Sequence, residues 1–197
     1  MNKLGFGYLR LPKIDEELDY NAINEITDAY LAAGGRYFDT AYSYLGGKSE
    51  EAIGRCLSAR HPRNSFMLAS KLAGYDVKSY DDCWAQFNTQ LARCGVEYFD
   101  FYLMHAMSAE RHQFYKEQGA YDIVQKLKAE GKIRHMGISF HDSAAALDQI
   151  LTDRPDIEVV QIQFNYADYE DVRIQSRKCY EVCRKHGKPV LVMEPVK

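Results

Sequence analysis

The chain has 197 residues, a length that predicts one domain over residues 1–197. Hydrophobic residues make up 46% and charged residues 27%, a composition that argues against intrinsic disorder. Its 25 lysines and arginines against 28 aspartates and glutamates give a net charge of −3, without the basic excess of a nucleic-acid-binding protein. No apolar run approaches the roughly 20 residues of a membrane span and no signal-peptide core is present, so we expect a cytoplasmic protein with no membrane partner.

Short β-branched or aromatic runs alternate with longer amphipathic stretches along the chain. Asp19, Ser49 and Ser79 are predicted helix N-caps, and Gly34 and Gly95 are predicted helix ends. Further helices are expected up to about residue 130 and over residues 144–151 and 172–186. The runs predict seven strands, at residues 4–9, 37–39, 66–70, 98–103, 133–138, 159–162 and 189–193.

This alternation is typical of an α/β fold with a parallel sheet, either an open doubly wound sheet or a (β/α)8 barrel. Polar residues at the strand ends favour the barrel, because barrel enzymes take one functional residue from each of several strands. An open sheet would concentrate them at one switch point. We therefore predict a (β/α)8 TIM barrel, truncated after the seventh strand, whose unpaired edges would favour self-association. The polar strand-end residues that favour the barrel are Asp39, Lys71, His105, Ser139, Gln161 and Glu194.

Other kinds of site have little support in the sequence. The Gly-x-Gly-x-x-Gly fingerprint of a dinucleotide-binding fold fails after the first strand, because Arg10 stands where the third glycine would follow Gly5 and Gly7. The five cysteines are scattered and odd in number, which argues against a disulfide framework. Cys179 and Cys183 are expected to pack within a helix. We predict no metal site.

Four candidate residues form a coherent set. Three of them end successive predicted strands, and the fourth lies shortly after the first of these strands. Lys71 closes an apolar strand, and a buried lysine needs a carboxylate partner, which Asp39 on the neighbouring strand can supply. Tyr44 follows Asp39 by five residues, and His105 ends the next predicted strand. These four resemble the catalytic tetrad of the aldo-keto reductase superfamily. The resemblance covers nearly the whole chain and includes Asp39-Thr40-Ala41, Ala69-Ser70-Lys71, Asp100-Phe101-Tyr102-Leu103-Met104-His105 and Gly137-Ile138-Ser139.

The resemblance implies a barrel that reduces an aldehyde or ketone with NADPH. It implies catalytic roles for the four tetrad residues, with Tyr44 as the proton donor and Tyr42 as its rival. A lysine ammonium beside a tyrosine stabilises the phenolate, so Lys71 would promote proton donation. His105 would hydrogen-bond the substrate oxygen. Ser139 and Gln161 match the positions that hold the nicotinamide carboxamide, and Glu194 is grouped with them as cofactor-binding.

A narrower resemblance leaves questions about the whole protein open. Gly46-Gly47-Lys48-Ser49-Glu50 and Ser139-Phe140-His141-Asp142 resemble a bacterial and archaeal branch whose barrel is commonly followed by a ferredoxin-like tail. We expect a 4Fe-4S cluster only in a longer parent protein. In the family, the segment after the eighth strand binds the adenosine 2′-phosphate that distinguishes NADPH from NADH. Because only seven strands are predicted here, NADH remains an alternative to NADPH. The alternative function is a catalytically silent barrel fragment or a non-enzymatic binding or regulatory subunit.

Overall fold

The computed structural model describes residues 3–74 and 77–196. These residues form nine strands and seven α-helices, with short 3-10 turns at Tyr44–Gly47 and Arg63–Ser65 and a π-turn at Gly54–Ser58. The strands are β1 (Gly5–Gly7), β2 (Lys13–Ile14), β3 (Glu17–Leu18), β4 (Tyr37–Asp39), β5 (Met67–Leu72), β6 (Phe99–Met107), β7 (Ile133–Phe140), β8 (Val159–Gln163) and β9 (Val190–Met193). The helices are α1 (Tyr20–Ala32), α2 (Lys48–Ile53), α3 (Tyr80–Cys94), α4 (Ala109–Glu117), α5 (Ala120–Ala129), α6 (Ala144–Asp153) and α7 (Ser176–Lys185).

Seven of the strands form one sheet in the order β1-β4-β5-β6-β7-β8-β9. Every pairing in this sheet is parallel, and helices connect most successive strands. The sheet curls, since Gln161 on β8 reaches across the interior to hydrogen-bond Asp39 on β4. This arrangement confirms the predicted (β/α) barrel of seven sheet strands, with β1 and β9 each paired on one side within the described residues.

The main core lies between the sheet and the helices. Side chains alternate along each strand between the helix layer and the barrel interior. Phe38, Leu68 and Ile138 take helix-facing positions and are fully buried. They join one apolar cluster with Phe87 of α3 and Leu147 of α6. The interior-facing positions are therefore available for polar side chains.

Three local features differ from the sequence-based expectations. The helix expected to run to about residue 130 is two helices, because Gly119 adopts a left-handed conformation (φ 64°) between α4 and α5. Ser49 is not an N-cap: α2 begins after Gly47, and the Ser49 hydroxyl donates to the Tyr8 carbonyl at 2.8 Å. The β2–β3 hairpin was not expected, because two-residue strands leave no periodic signal.

All five cysteines are buried free thiols. Burial raises the pKa of Cys179 to about 11 and that of Cys183 to about 12, so both remain protonated near neutral pH. They pack on α7 as apolar side chains, as expected. Over the described ranges, no helix is both long and apolar enough to cross a membrane.

Candidate functional site

The four tetrad residues converge at the carboxyl end of the sheet. Asp39 is the last residue of β4, and Tyr44 opens the 3-10 turn that follows this strand. Lys71 and His105 lie inside β5 and β6 near their ends, so these two strands run further than the sequence predicted. Since neighbouring parallel strands end on the same side, three strands and one turn bring the four side chains together.

Lys71 is the centre of this group and is 1% exposed. Its Nζ donates to Asp39 Oδ1 at 2.5 Å and to the Thr40 carbonyl at 2.8 Å, and it lies 3.3 Å from the Tyr44 hydroxyl. Burial alone lowers the pKa of Lys71, but Asp39 and Tyr44 raise it by more, so the net pKa lies above its usual value. Lys71 is therefore a buried ammonium ion that joins Asp39 to Tyr44.

Asp39 is also held from the opposite wall of the barrel. Its Oδ2 accepts a hydrogen bond from Gln161 Nε2 at 2.9 Å and a longer one from the Tyr37 hydroxyl at 3.4 Å. Burial and the Asp39 charge raise the pKa of Tyr37 well above its usual value, so Tyr37 remains a donor. The sequence analysis missed Tyr37, although its position two residues before Asp39 places it on the same strand face.

His105 faces Tyr44, with ring centroids 5.6 Å apart and an interplanar angle of 74°. Its Nδ1 is buried and has no hydrogen-bond partner among the described residues. Burial, with a smaller contribution from the Lys71 charge, lowers the pKa of His105 to about 3, so the ring is neutral near pH 7. A buried polar atom without a partner costs about 1–3 kcal/mol, which a polar ligand group can offset.

The predicted cofactor residues fall into two places. Ser139 and Gln161 are register partners on β7 and β8 and share the interior face of the sheet. Ser139 Oγ accepts from the Ala106 amide at 2.9 Å, so its own proton remains available for donation. Glu194 follows β9, where its carboxylate accepts from Gln163 at 3.0 Å and lies 3.7 Å from Arg10.

The geometry separates Tyr44 from its rival Tyr42. Arg93 of α3 lies over the Tyr42 ring, with its guanidinium carbon 4.8 Å from the ring centroid. Tyr44, in contrast, has its hydroxyl 3.3 Å from Lys71 Nζ. The structure therefore places the ammonium group at Tyr44.

A second polar cluster, which the sequence analysis missed, supports β5 from the helix side. Glu50 is fully buried and accepts from Ser70 and from Gln90, each at 2.7 Å. Gln90 also donates to the Lys71 carbonyl at 3.0 Å. Burial raises the pKa of Glu50 despite these donors. This cluster fixes the backbone of the strand that carries Lys71.

The described residues contain no group of three or more His, Cys, Asp or Glu side chains arranged to hold a metal ion. The candidate site itself consists of the Lys71–Asp39 ion pair, the Tyr44 hydroxyl and the neutral His105 ring. Such a group can donate a proton to an oxygen atom and hold the resulting negative charge beside an ammonium ion.

Comparisons with known proteins all point to the same family. The model of the aldo/keto reductase family matches residues 3–197. An aldo-keto reductase of Mycolicibacterium smegmatis is 32% identical over 138 residues, which are 70% of this chain and 45% of that protein. One of Strobilurus tenacellus is 27% identical over 207 residues, covering 100% of this chain and 58% of that protein.

The fold comparison agrees. The crystal structure of an aldo-keto reductase from Klebsiella pneumoniae in complex with NADPH matches 95% of this chain and 62% of that chain, with a TM-score of 0.74 and 23% identity. The chain spans about half the length of the two relatives above, 45% and 58%. The family match over residues 3–197 confirms the resemblance seen in the sequence, and the chain belongs to the aldo-keto reductase family.

Proposed function

We propose that this barrel performs NADPH-dependent reduction of an aldehyde or ketone to an alcohol, with Tyr44 as the proton donor. The observation that carries the proposal is the Lys71 ammonium, which bridges the Asp39 carboxylate at 2.5 Å and the Tyr44 hydroxyl at 3.3 Å. A buried ammonium held in this position favours proton release from the hydroxyl it faces.

The donor set of the barrel interior fits a nicotinamide carboxamide. This group offers an N–H donor and a carbonyl acceptor, and Ser139 and Gln161 present a hydroxyl and an amide side by side on β7 and β8. Bound NADPH would supply the hydride. The complex of the Klebsiella pneumoniae relative with NADPH supports this choice of cofactor. Glu194 suits a hydroxyl or amide of the cofactor and not a phosphate, because a carboxylate repels phosphate.

The residues of this chain would handle the proton. As the carbonyl carbon is reduced, its π electrons move to the oxygen, and Tyr44 donates its proton to that oxygen. The resulting phenolate lies beside Lys71, whose charge Asp39 maintains, and solvent returns the proton. Neutral His105 donates a hydrogen bond to the carbonyl oxygen and orients it.

The first test is cofactor binding, followed by turnover. We expect NADPH to quench the fluorescence of the chain saturably, with NADH titrated in parallel. With NADPH and 4-nitrobenzaldehyde, Tyr44→Phe should abolish reduction while leaving the Kd for NADPH within twofold, because only the proton donor is lost. Tyr42→Phe is the matched control and should retain activity, since its ring packs under Arg93.

The outcomes separate the two functions raised by the sequence. Reduction at the wild-type rate by Tyr44→Phe would refute the assignment of the proton donor. Saturable NADPH binding by a wild-type chain that reduces no carbonyl compound in an aldehyde and ketone panel would favour a binding or regulatory subunit.

A further inference from the structure

A buried hydroxyl lies between the two strand ends that carry Lys71 and His105. It belongs to Tyr115 of α4, which is fully buried. The hydroxyl accepts from the Gly74 amide at 2.9 Å, and its proton faces the carbonyl oxygens of Leu72 at 2.9 Å and His105 at 3.2 Å. Burial raises the pKa of Tyr115 well above its usual value, so this hydroxyl keeps its proton.

These contacts begin where the strand ladder stops. The β5–β6 pairing extends to Leu72 and Met104, and His105 lies one residue beyond it. Lys71 immediately precedes Leu72. The Tyr115 hydroxyl therefore joins the carbonyl of Leu72, the last paired residue of β5, to the carbonyl of His105, one residue beyond the pairing.

The backbone after His105 is irregular, which increases the importance of side-chain support. Ala106 has a positive φ of 51°, and the β6–β7 register shifts between Met104 and Met107. The Ala106 amide donates to Ser139 Oγ at 2.9 Å. Side chains on α4 and β7 thus bind the carbonyl oxygen and the N–H of the His105–Ala106 peptide.

We propose that Tyr115 is a positioning residue of the reductase, whose hydroxyl sets the spacing between Lys71 and His105. This inference rests on the proposed function. Tyr115 acts through backbone atoms and does not take part in the chemistry. Loss of its hydroxyl should therefore lower kcat with little effect on cofactor affinity, because displacements of about 1 Å can cost up to hundredfold in rate.

The test compares Tyr115→Phe with Tyr121→Phe in the full chain. Tyr121 is a matched control: it is 2% exposed, its ring lies 6.5 Å from that of Tyr115, and its hydroxyl bonds His112 at 2.7 Å. Both variants lose a buried hydroxyl. We expect Tyr115→Phe to lower kcat for 4-nitrobenzaldehyde at least about tenfold, with the Kd for NADPH within twofold. Tyr121→Phe should leave both within twofold.

A second variant and a readout independent of turnover complete the test. In Gly74→Ala, the added Cβ would lie 2.6 Å from the Tyr115 hydroxyl and ring, so we expect the same fall in kcat. Hydrogen exchange of the Gly74 amide should be at least about tenfold faster in Tyr115→Phe, since the amide loses its acceptor.

A kcat within twofold of wild type in Tyr115→Phe, or an equal loss in Tyr121→Phe, would overturn the positioning role. A wild-type chain without turnover would instead refute the proposed function. Exchange at Gly74 would then decide whether the hydroxyl holds the strand ends: faster exchange supports the contact, and unchanged exchange overturns it.

Discussion

Replacing Lys71 by methionine tests the centre of the candidate site. Methionine keeps much of the apolar length of the side chain and removes the ammonium that contacts Asp39 and Tyr44. A full phenolate charge 3.3 Å from the ammonium is stabilised by about 5 kcal/mol at an effective dielectric constant of 20. The charge is partly developed in the transition state, so half of this energy is a reasonable share. That share corresponds to a fall in kcat on the order of 10²-fold.

The substitution should also destabilise the fold. It leaves the Asp39 carboxylate without its cation, and breaking a buried ion pair in this way costs about 3–5 kcal/mol. Gln161 and Tyr37 still donate to Asp39, and the Asp39 side chain is 14% exposed, which favours the lower end of this range. The loss of stability would be read from urea unfolding.

The assay is NADPH consumption with 4-nitrobenzaldehyde, normalised to the fraction of protein that binds NADPH. Lys48→Met is the control, because Lys48 is an exposed lysine whose partner, Glu17 at 2.9 Å, is an exposed carboxylate and not a buried one. This substitution should leave kcat within twofold and should change the free energy of unfolding much less than Lys71→Met does, because an exposed ion pair contributes little. Retention of kcat within twofold by Lys71→Met, with an unshifted pH profile, would refute the reasoning.

Two further predictions concern stability. The pKa of His105 in the folded chain is about 3, below the ordinary value of 6.5, so between these pH values the unfolded chain binds a proton that the folded chain does not. The free energy of unfolding should therefore fall from pH 6.5 towards pH 3, at up to about 1.4 kcal/mol per pH unit. His105→Gln should flatten this acid limb in urea titrations, and an identical limb would contradict the prediction. In Gly137→Ala, the Cβ would meet Val159 at 2.5 Å and Leu103 at 2.6 Å, costing about 1–3 kcal/mol of unfolding free energy. Gly7→Ala, with nothing within 4 Å, should be nearly neutral, and equal losses would refute the steric argument.

The sequence predicted the barrel because its signals are local and periodic. Apolar strands of about five residues, each followed by an amphipathic helix, determine a parallel sheet, and polar residues such as Lys71 near strand ends then meet at one edge. The same logic pairs Lys71 with Asp39, which the structure also does. The exact strand ends could not be read, since β6 continues through the polar His105 to Met107.

The contacts that complete the site depend on tertiary packing. Gln161 and Asp39 are 122 residues apart, and they meet only because the sheet curls until β8 faces β4. Tyr115 lies in α4, a helix with no clear apolar face in its sequence, and its three hydroxyl contacts are with backbone atoms that carry no sequence signal. Contacts of this kind can be identified only once the folded sheet is known.

The two halves of the proposed reaction have different structural requirements. The proton-transfer half is assembled by β4, β5 and β6 and the turn after β4, and Gln161 on β8 completes the hydrogen bonds of Asp39. Its geometry therefore depends on sheet curvature between β4 and β8, where every strand is paired on both sides. The proposed cofactor site comprises Ser139, Gln161 and residues near β9, and β9 forms one edge of the described sheet. Perturbing that edge should weaken NADPH binding before it disturbs the Lys71–Asp39 pair.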